Sequence, residues 1–382
     1  MPIASTNRST LQSSISTAAI GRGRKPPSTK AETLVRATGV THAALRLRLD
    51  SSALKQNWHW LQKMSGTATG AAIKADGYGL GAREVMNWLA AEGCRNFFVS
   101  TWVEAEALGN IPDGTVVSVL HGAGPDDIGT ALASSARPVL NTPQQVARWK
   151  EAAPGRPCDV MIDTGINRLG LRTDEVHLLD GLKIETLMSH LACADEDSEM
   201  NAVQRDRFTA VAATVGARRY SLANSAGICL GRDYAFDLVR PGLALYGGTP
   251  REEADGKIRQ VAFPEAEIIQ RRTIKAGEAC GYGATWTAQA DTEAAVVNIG
   301  YADGYLRCFA GRGAASIDGL SLPLIGRVSM DLLIMDASAA PDAREGDWVT
   351  LDYELPSAAE ASGLSQYELL TGLSERLERR WV

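Results

Sequence analysis

Lysine, arginine, histidine and tyrosine recur among glycines in a few short words of this chain: AAIKADGYGLG (71–81), MIDTGINRLGL (161–171), HLACADE (190–196), LANSAG (222–227) and VRPGLALYG (239–247), then GYGATW (281–286) and GRVSMD (326–331). Most stand just after apolar, β-type runs. Such an arrangement suits an anionic group held at strand ends by backbone N–H groups and attached to a lysine. Lys74 closes one run and precedes Gly77, Gly79 and Gly81. At the C-terminal mouth of a parallel barrel it would be partly desolvated, which favours the neutral amine a Schiff base requires. The other reading is a lysine that snorkels its ammonium to the rim. Tyr78, Asn224-Ser225 and Gly242-Leu243 also follow strand-like runs and together could form a phosphate cradle, although a lone glycine there is usually just a turn. Arg240, if buried, needs an acceptor: a carboxylate such as Asp237, or the ring nitrogen of a cofactor.

The elements that must position these residues are legible as texture. Eight runs are almost continuously apolar, as parallel strands covered on both faces are: GAAIK (70–74), RNFFVST (95–101), TVVSVLHG (115–122), RPVLN (137–141), CDVMIDTG (158–165), IETLMSHLA (184–192), RRYSLAN (218–224) and FDLVRPG (236–242). Helical stretches separate several of them: 82–93, 142–153 with Thr142 as cap and Pro143 at the first position, and 201–216. The stretch between the third and fourth runs (125–135) is short. The alternation predicts an N-terminal (β/α)8 barrel over 54–249. From 250 to 382 period-two alternation and Gly/Asp turns predict a mainly β domain, and the alternating AALRLRLD (43–50) predicts a strand of 43–53 pairing with it. The amphipathic segment 365–381 reads as helix.

These motifs, in this order, resemble alanine racemase, a pyridoxal-phosphate (PLP) family with an N-terminal barrel and a C-terminal β domain. The resemblance runs from about residue 43 to the C-terminus, and AAIKADGYG and GYGATW carry it most specifically. It implies that Lys74 holds PLP as an internal aldimine and is the base toward D-alanine, while Tyr282 is the base toward L-alanine on the opposite face. It implies a homodimer whose active site is shared between subunits, Tyr282 entering the partner's site. Arg240 would face the pyridine nitrogen and His190 would link Arg240 to the catalytic tyrosine. Tyr78, Asn224, Ser225, Gly242, Leu243 and Tyr367 fall on the cofactor-binding side, and Arg168, Met330 and Tyr301 on substrate-contact positions. An arginine at the ring nitrogen keeps that nitrogen unprotonated, because guanidinium holds its proton far more tightly. One residue departs from the pattern: Met161, seven before Arg168, replaces a lysine that becomes carbamylated and orients the arginine. Arg168 is then expected to be held by a bound anion such as chloride, or by another polar side chain.

Bulk properties exclude other classes. The chain has 382 residues, 45% hydrophobic and 22% charged, with a net charge of −6, which gives no basic stripe for nucleic acid. No apolar run is long enough to span a bilayer. The six cysteines form no CxxC pair, so neither a metal site nor a redox dithiol is expected, and reduced thiols in a cytoplasmic protein are the reading. Residues 1–42 are rich in Ser, Thr and Arg with Glu32 as the only acid, and read as a disordered or presequence-like tail. His59, His121 and His177 match no catalytic position and read as surface or loop histidines. The expected activity is alanine racemisation that supplies D-alanine for peptidoglycan. The alternatives are a racemase of broader specificity for serine, lysine or arginine, and a non-catalytic PLP-binding protein, which would need neither GYGATW nor a β domain.

Overall fold

The computed structural model describes residues 43–382; the expected tail lies outside them. The eight apolar runs form eight parallel strands in chain order. Gly70 splits the first into Ala68–Thr69 and Ala71–Ala72; the others are Asn96–Val99, Val116–Val119, Arg137–Leu140, Cys158–Asp163, Ile184–Met188, Arg219–Ser221 and Leu238–Val239. The first seven pair successively in one sheet. The eighth joins the seventh where Asp237 N–H donates to Tyr220 O at 3.0 Å and Arg240 N–H to Ala223 O at 2.9 Å. It also pairs with the first strand, and Gly70 N–H to Val239 O (2.9 Å) and Ala72 N–H to Pro241 O (2.8 Å) complete the closure. The sheet therefore has no free edge. Gly70 is required at that closure: a Cβ there would lie 2.7 Å from the Asn96 carbonyl.

Helices Ala82–Ala91, Pro143–Ala152 and Glu199–Ala212 stand where the helical pattern predicts them. Thr142 Oγ1 accepts the Gln145 N–H at 3.1 Å with Pro143 at the first position, so sequence chemistry and observed cap agree. Between the third and fourth strands only the six-residue helix Ile128–Ala133 fits.

Six of the later strands build a second, antiparallel barrel. Thirteen-residue Ala262–Ile274 pairs through its first half with Trp348–Leu351 and through its second with Thr292–Val297. A bulge between Ile268 and Gln270 lets it turn that corner. Leu333–Asp336, Leu320–Ile325 and Ala314–Ile317 complete the circuit. Leu45–Leu49 lies antiparallel to Ala262–Ile274, with its three leucines buried while Arg46 and Arg48 share the Glu265 carboxylate on the other face.

One expected helix is wrong in extent. Within 365–381 only Gln366–Thr371 is helical, and Glu378–Trp381 is a strand parallel to Leu45–Leu49. Its burial alternates residue by residue, so the amphipathic pattern there has period two, and the open edge of Leu45–Leu49 takes up its backbone.

Candidate active site

A cavity of about 850 Å³ opens at the C-terminal ends of the parallel strands. That size suits a small-molecule or cofactor site. Ten of the expected site residues line it: Lys74, Tyr78, Arg168, His190, Asn224, Ser225, Arg240, Gly242, Leu243 and Tyr367.

Lys74 sits at the start of an unusual turn. Ala75, Asp76, Gly77 and Tyr78 have φ of 52, 49, 62 and 57°, all left-handed. For an L-residue that conformation costs about 1–2 kcal/mol each, so three non-glycine residues need external support. The turn has its own bonds, Gly77 N–H to Ile73 O and Gly79 N–H to Ala75 O, both 2.8 Å. Side chains add more: Asp76 Oδ1 accepts the Ala82 N–H at 2.9 Å, and Glu104 Oε1 accepts the Ala75 N–H at 3.0 Å. Glu104 is itself fixed by a capping box with Thr101 and accepts the Ser100 N–H at 2.6 Å. The Lys74 amine is thereby set into the cavity. Burial lowers its pKa first and the Arg168 charge second, while Glu104 works in the opposite sense. That shift is toward the neutral, nucleophilic form.

Tyr78 is buried, its ring stacked on Tyr246 with centroids 4.6 Å apart and 6.2 Å from that of Tyr367. Burial pushes the Tyr78 hydroxyl well above the usual phenol range, so it remains a donor. A Cβ on Gly242 would lie 2.2 Å from that hydroxyl oxygen; only bare backbone leaves room for the pair. Ser225 Oγ accepts the N–H groups of Gly242 (3.0 Å) and Ala244 (3.2 Å), tying the loops after the seventh and eighth strands together. Asn224 Oδ1 caps Ser225–Cys229 through the Gly227 N–H at 2.8 Å.

Arg240 is 7% exposed. Its guanidinium donates to Ser221 Oγ, Ser189 O and Leu222 O. Asp237 is not its partner; that carboxylate is exposed and accepts the Tyr220 N–H at 2.8 Å. Burial lowers the Arg240 pKa to about 10, with the buried Asp159 carboxylate acting against the shift. Arg240 is still a cation at neutral pH.

His190 lines the cavity but makes no side-chain hydrogen bond to Arg240, contrary to the expected link; the Arg240 donors go to Ser221, Ser189 and Leu222 instead. Burial and the charges of Arg240, Arg168 and Lys74 push its pKa down to about 3, so the ring is neutral. Arg168 is exposed toward the cavity and forms no hydrogen bond or ion pair with any described residue, so no polar side chain takes the place of the missing lysine. Met161 lines the cavity where that lysine would stand and offers no charged partner.

Three expected residues do not line this cavity. Tyr282 is 68% exposed and Met330 is 53% exposed, both on the second barrel's loops. Tyr301 is half-buried, with the Arg307 guanidinium 4.9 Å from its ring centroid. His121 is exposed on a turn, as expected of a surface or loop histidine, and it also lines the cavity because it follows the third strand. Glu104 went unnoticed too, although T-x-x-E at 101–104 is a capping-box signature that could have found it.

Lys74, Arg168 and Arg240 give the cavity a positive field, which fits an anionic ligand. Neutral Tyr78 beside bare Gly242, with Ser225 behind, leaves hydroxyl and backbone at the strand ends where a phosphate could be held. The residues present thus fit a phosphorylated, amine-reactive aromatic group.

Comparison with known proteins leads the same way. Residues 49–250 match the family model for the alanine racemase N-terminal domain and residues 261–381 that for its C-terminal domain. An alanine racemase of Acidiphilium cryptum is 40% identical over 347 residues, 87% of this chain and 97% of that protein. A catabolic alanine racemase of Agrobacterium fabrum is 40% identical over 359 residues, 89% of this chain and 92% of that one. The crystal structure of alanine racemase from Bartonella henselae with covalently bound pyridoxal phosphate superposes with a TM-score of 0.80 at 31% identity, covering 89% of this chain and 100% of that one. Two matched domains, in the order and at the places the two barrels occupy, leave one conclusion: this chain belongs to the alanine racemase family.

Proposed function

We propose that the protein interconverts L- and D-alanine with pyridoxal 5′-phosphate as cofactor. The observation that carries this is the desolvated Lys74 on its left-handed turn, in one cavity with buried Arg240 and with the Tyr78–Gly242–Ser225 cradle. Lys74 would hold the cofactor covalently, Tyr78, Ser225, Gly242, Leu243 and Tyr367 its phosphate, and Arg240 its ring nitrogen. Asn224 would act through the cap that orders Ser225. When bound, the cofactor supplies an electron sink for the pair left as the Cα proton departs.

The residues then divide the work. The Lys74 amine takes or returns the Cα proton on one face, the D-alanine side. The Tyr282 hydroxyl does so on the other, the L-alanine side. A phenol near pKa ~10 needs a nearby positive charge to act as a base, and Arg240 provides it beside a neutral His190. Arg168 binds the substrate carboxylate, held in place by a small anion, while Met330 and Tyr301 border the entrance.

Tyr282 and Met330 stand exposed on their own chain, with Tyr301 half-buried, and a second copy would bring them over this cavity; we therefore infer a homodimer with shared sites. Residues 54–249 form the cofactor domain and 250–382, with strand Leu45–Leu49 in place of the expected 43–53 because a helix begins at Ser51, the domain that serves the partner. Among the described residues no helix is long and apolar enough to cross a membrane, and we place the enzyme in the cytoplasm, where it supplies D-alanine for peptidoglycan.

Purified protein incubated with PLP and L-alanine is expected to form D-alanine by chiral chromatography, and Lys74→Ala none. Failure with alanine but turnover of serine, lysine or arginine would move the reading to a broader racemase. A lysine-bound cofactor with no turnover of any amino acid would leave a carrier.

A further inference from the structure

Arg379 lies outside the cavity, on strand Glu378–Trp381, and carries no assigned role. Its guanidinium is engaged with backbone carbonyls. Nε and Nη2 both donate to Gly79 O, at 3.0 and 2.9 Å. Nη2 also reaches Leu373 O at 3.2 Å, and Nη1 reaches Ser374 O at 2.8 Å and Leu377 O at 2.9 Å. None of these acceptors is a carboxylate.

Gly79 is the residue that ends the left-handed turn, and a Cβ there would lie 3.0 Å from Leu370 O. Turn and helix Gln366–Thr371 thus meet backbone against backbone, and Leu373 and Ser374 leave that helix. The start of the turn is tethered by Glu104 and its middle by Asp76; its last carbonyl is tethered by Arg379. The same cation therefore joins the segment bearing Lys74 and Tyr78 to the segment bearing Tyr367. Lysine could not do this: one ammonium on a flexible stem cannot span four carbonyls in a planar fork.

We propose that Arg379 is a positioning residue for the reaction, holding the left-handed lysine turn against the C-terminal helix and so fixing Lys74 relative to the Tyr78–Tyr367 pair. The proposal rests on the reading of Lys74 as cofactor anchor. Without the clamp the turn gains freedom, and a small displacement of a reacting group costs up to about 10²-fold in rate.

The test uses Arg379→Ala and Arg379→Lys with two readouts. In cofactor-free protein, amide hydrogen exchange across 74–81 is expected to be about tenfold faster or more in both variants, the scale of a lost charge-assisted hydrogen bond, with Asn96–Val99 unchanged. In the loaded enzyme kcat is expected to fall by roughly 10- to 100-fold with KM altered by less than about threefold. Added guanidinium ion, below denaturing concentration, is expected to recover activity in Arg379→Ala. Unchanged exchange at 74–81 with wild-type kcat overturns the proposal. So does a loss of kcat that follows the unfolding midpoint and ignores guanidinium. If Arg379→Ala does not fold, exchange and kcat in Arg379→Lys decide alone. A wild type that forms no D-alanine would count against the Lys74 reading, while the exchange result would still decide whether Arg379 holds the turn.

Discussion

His190 enters the fold buried among cations, and burial first, then Arg240, Arg168 and Lys74, act against its protonation. Its pKa falls from 6.5 to about 3, so between those values the unfolded chain carries a proton that the folded chain refuses. Stability therefore drops as pH falls through that window and is unaffected by His190 above it. In cofactor-free protein, His190→Gln is expected to gain on the wild type as pH is lowered from 6.5 toward 4, with a constant difference above 6.5. Unfolding midpoints measured across pH check this; one offset at every pH would mean that the folded protein does protonate His190. At this scale the sequence reveals residue types well and partners poorly. Arg240 could be read as needing an acceptor, but not that one serine hydroxyl and two chain carbonyls would supply it in place of Asp237. His121 is exposed on a turn, as a surface or loop histidine should be, but that it also reaches the cavity depends on standing just past a strand end, which a histidine's identity does not disclose.

At the scale of elements, the eight parallel strands were legible because burial on both faces forces continuous apolar sequence. The left-handed turn was not. KADGYG has no periodicity to read, and three of its four left-handed residues are not glycine. Only tertiary tethers make it stable, and those come from residues up to 300 positions away. Ala75 is exposed and contributes only its backbone N–H and carbonyl, so it isolates the backbone term. Relief of about 1–2 kcal/mol of left-handed strain, less about 0.5–1 for the extra freedom of glycine in the unfolded chain, leaves Ala75→Gly neutral to about 1.5 kcal/mol more stable. Denaturant titration of cofactor-free protein measures it, and a clear destabilisation would show that the turn is not strained at Ala75. Segment 365–381 was misread for a related reason: helical and strand patterns are hard to separate where a glycine divides two short amphipathic pieces.

The whole molecule presents a cavity in one barrel and an exposed candidate base, Tyr282, on the other. If two copies complete one another's sites, mixing Lys74→Ala with Tyr282→Phe after dissociation is expected to restore about a quarter of wild-type activity. Half of randomly paired dimers are mixed, and each mixed dimer holds one intact site. No recovery would mean that Tyr282 serves its own chain. A different consequence follows from strand Leu45–Leu49, which lies between Ala262–Ile274 and Glu378–Trp381. Its neighbours are made long after it is. At about 5–20 residues per second, the growing chain carries this leucine-rich strand for many seconds before either neighbour exists. During synthesis it is an unpaired ribbon open to other nascent chains, and Arg46 and Arg48 on its second face are charges of the kind that keep such ribbons apart until Glu265 arrives to pair with both.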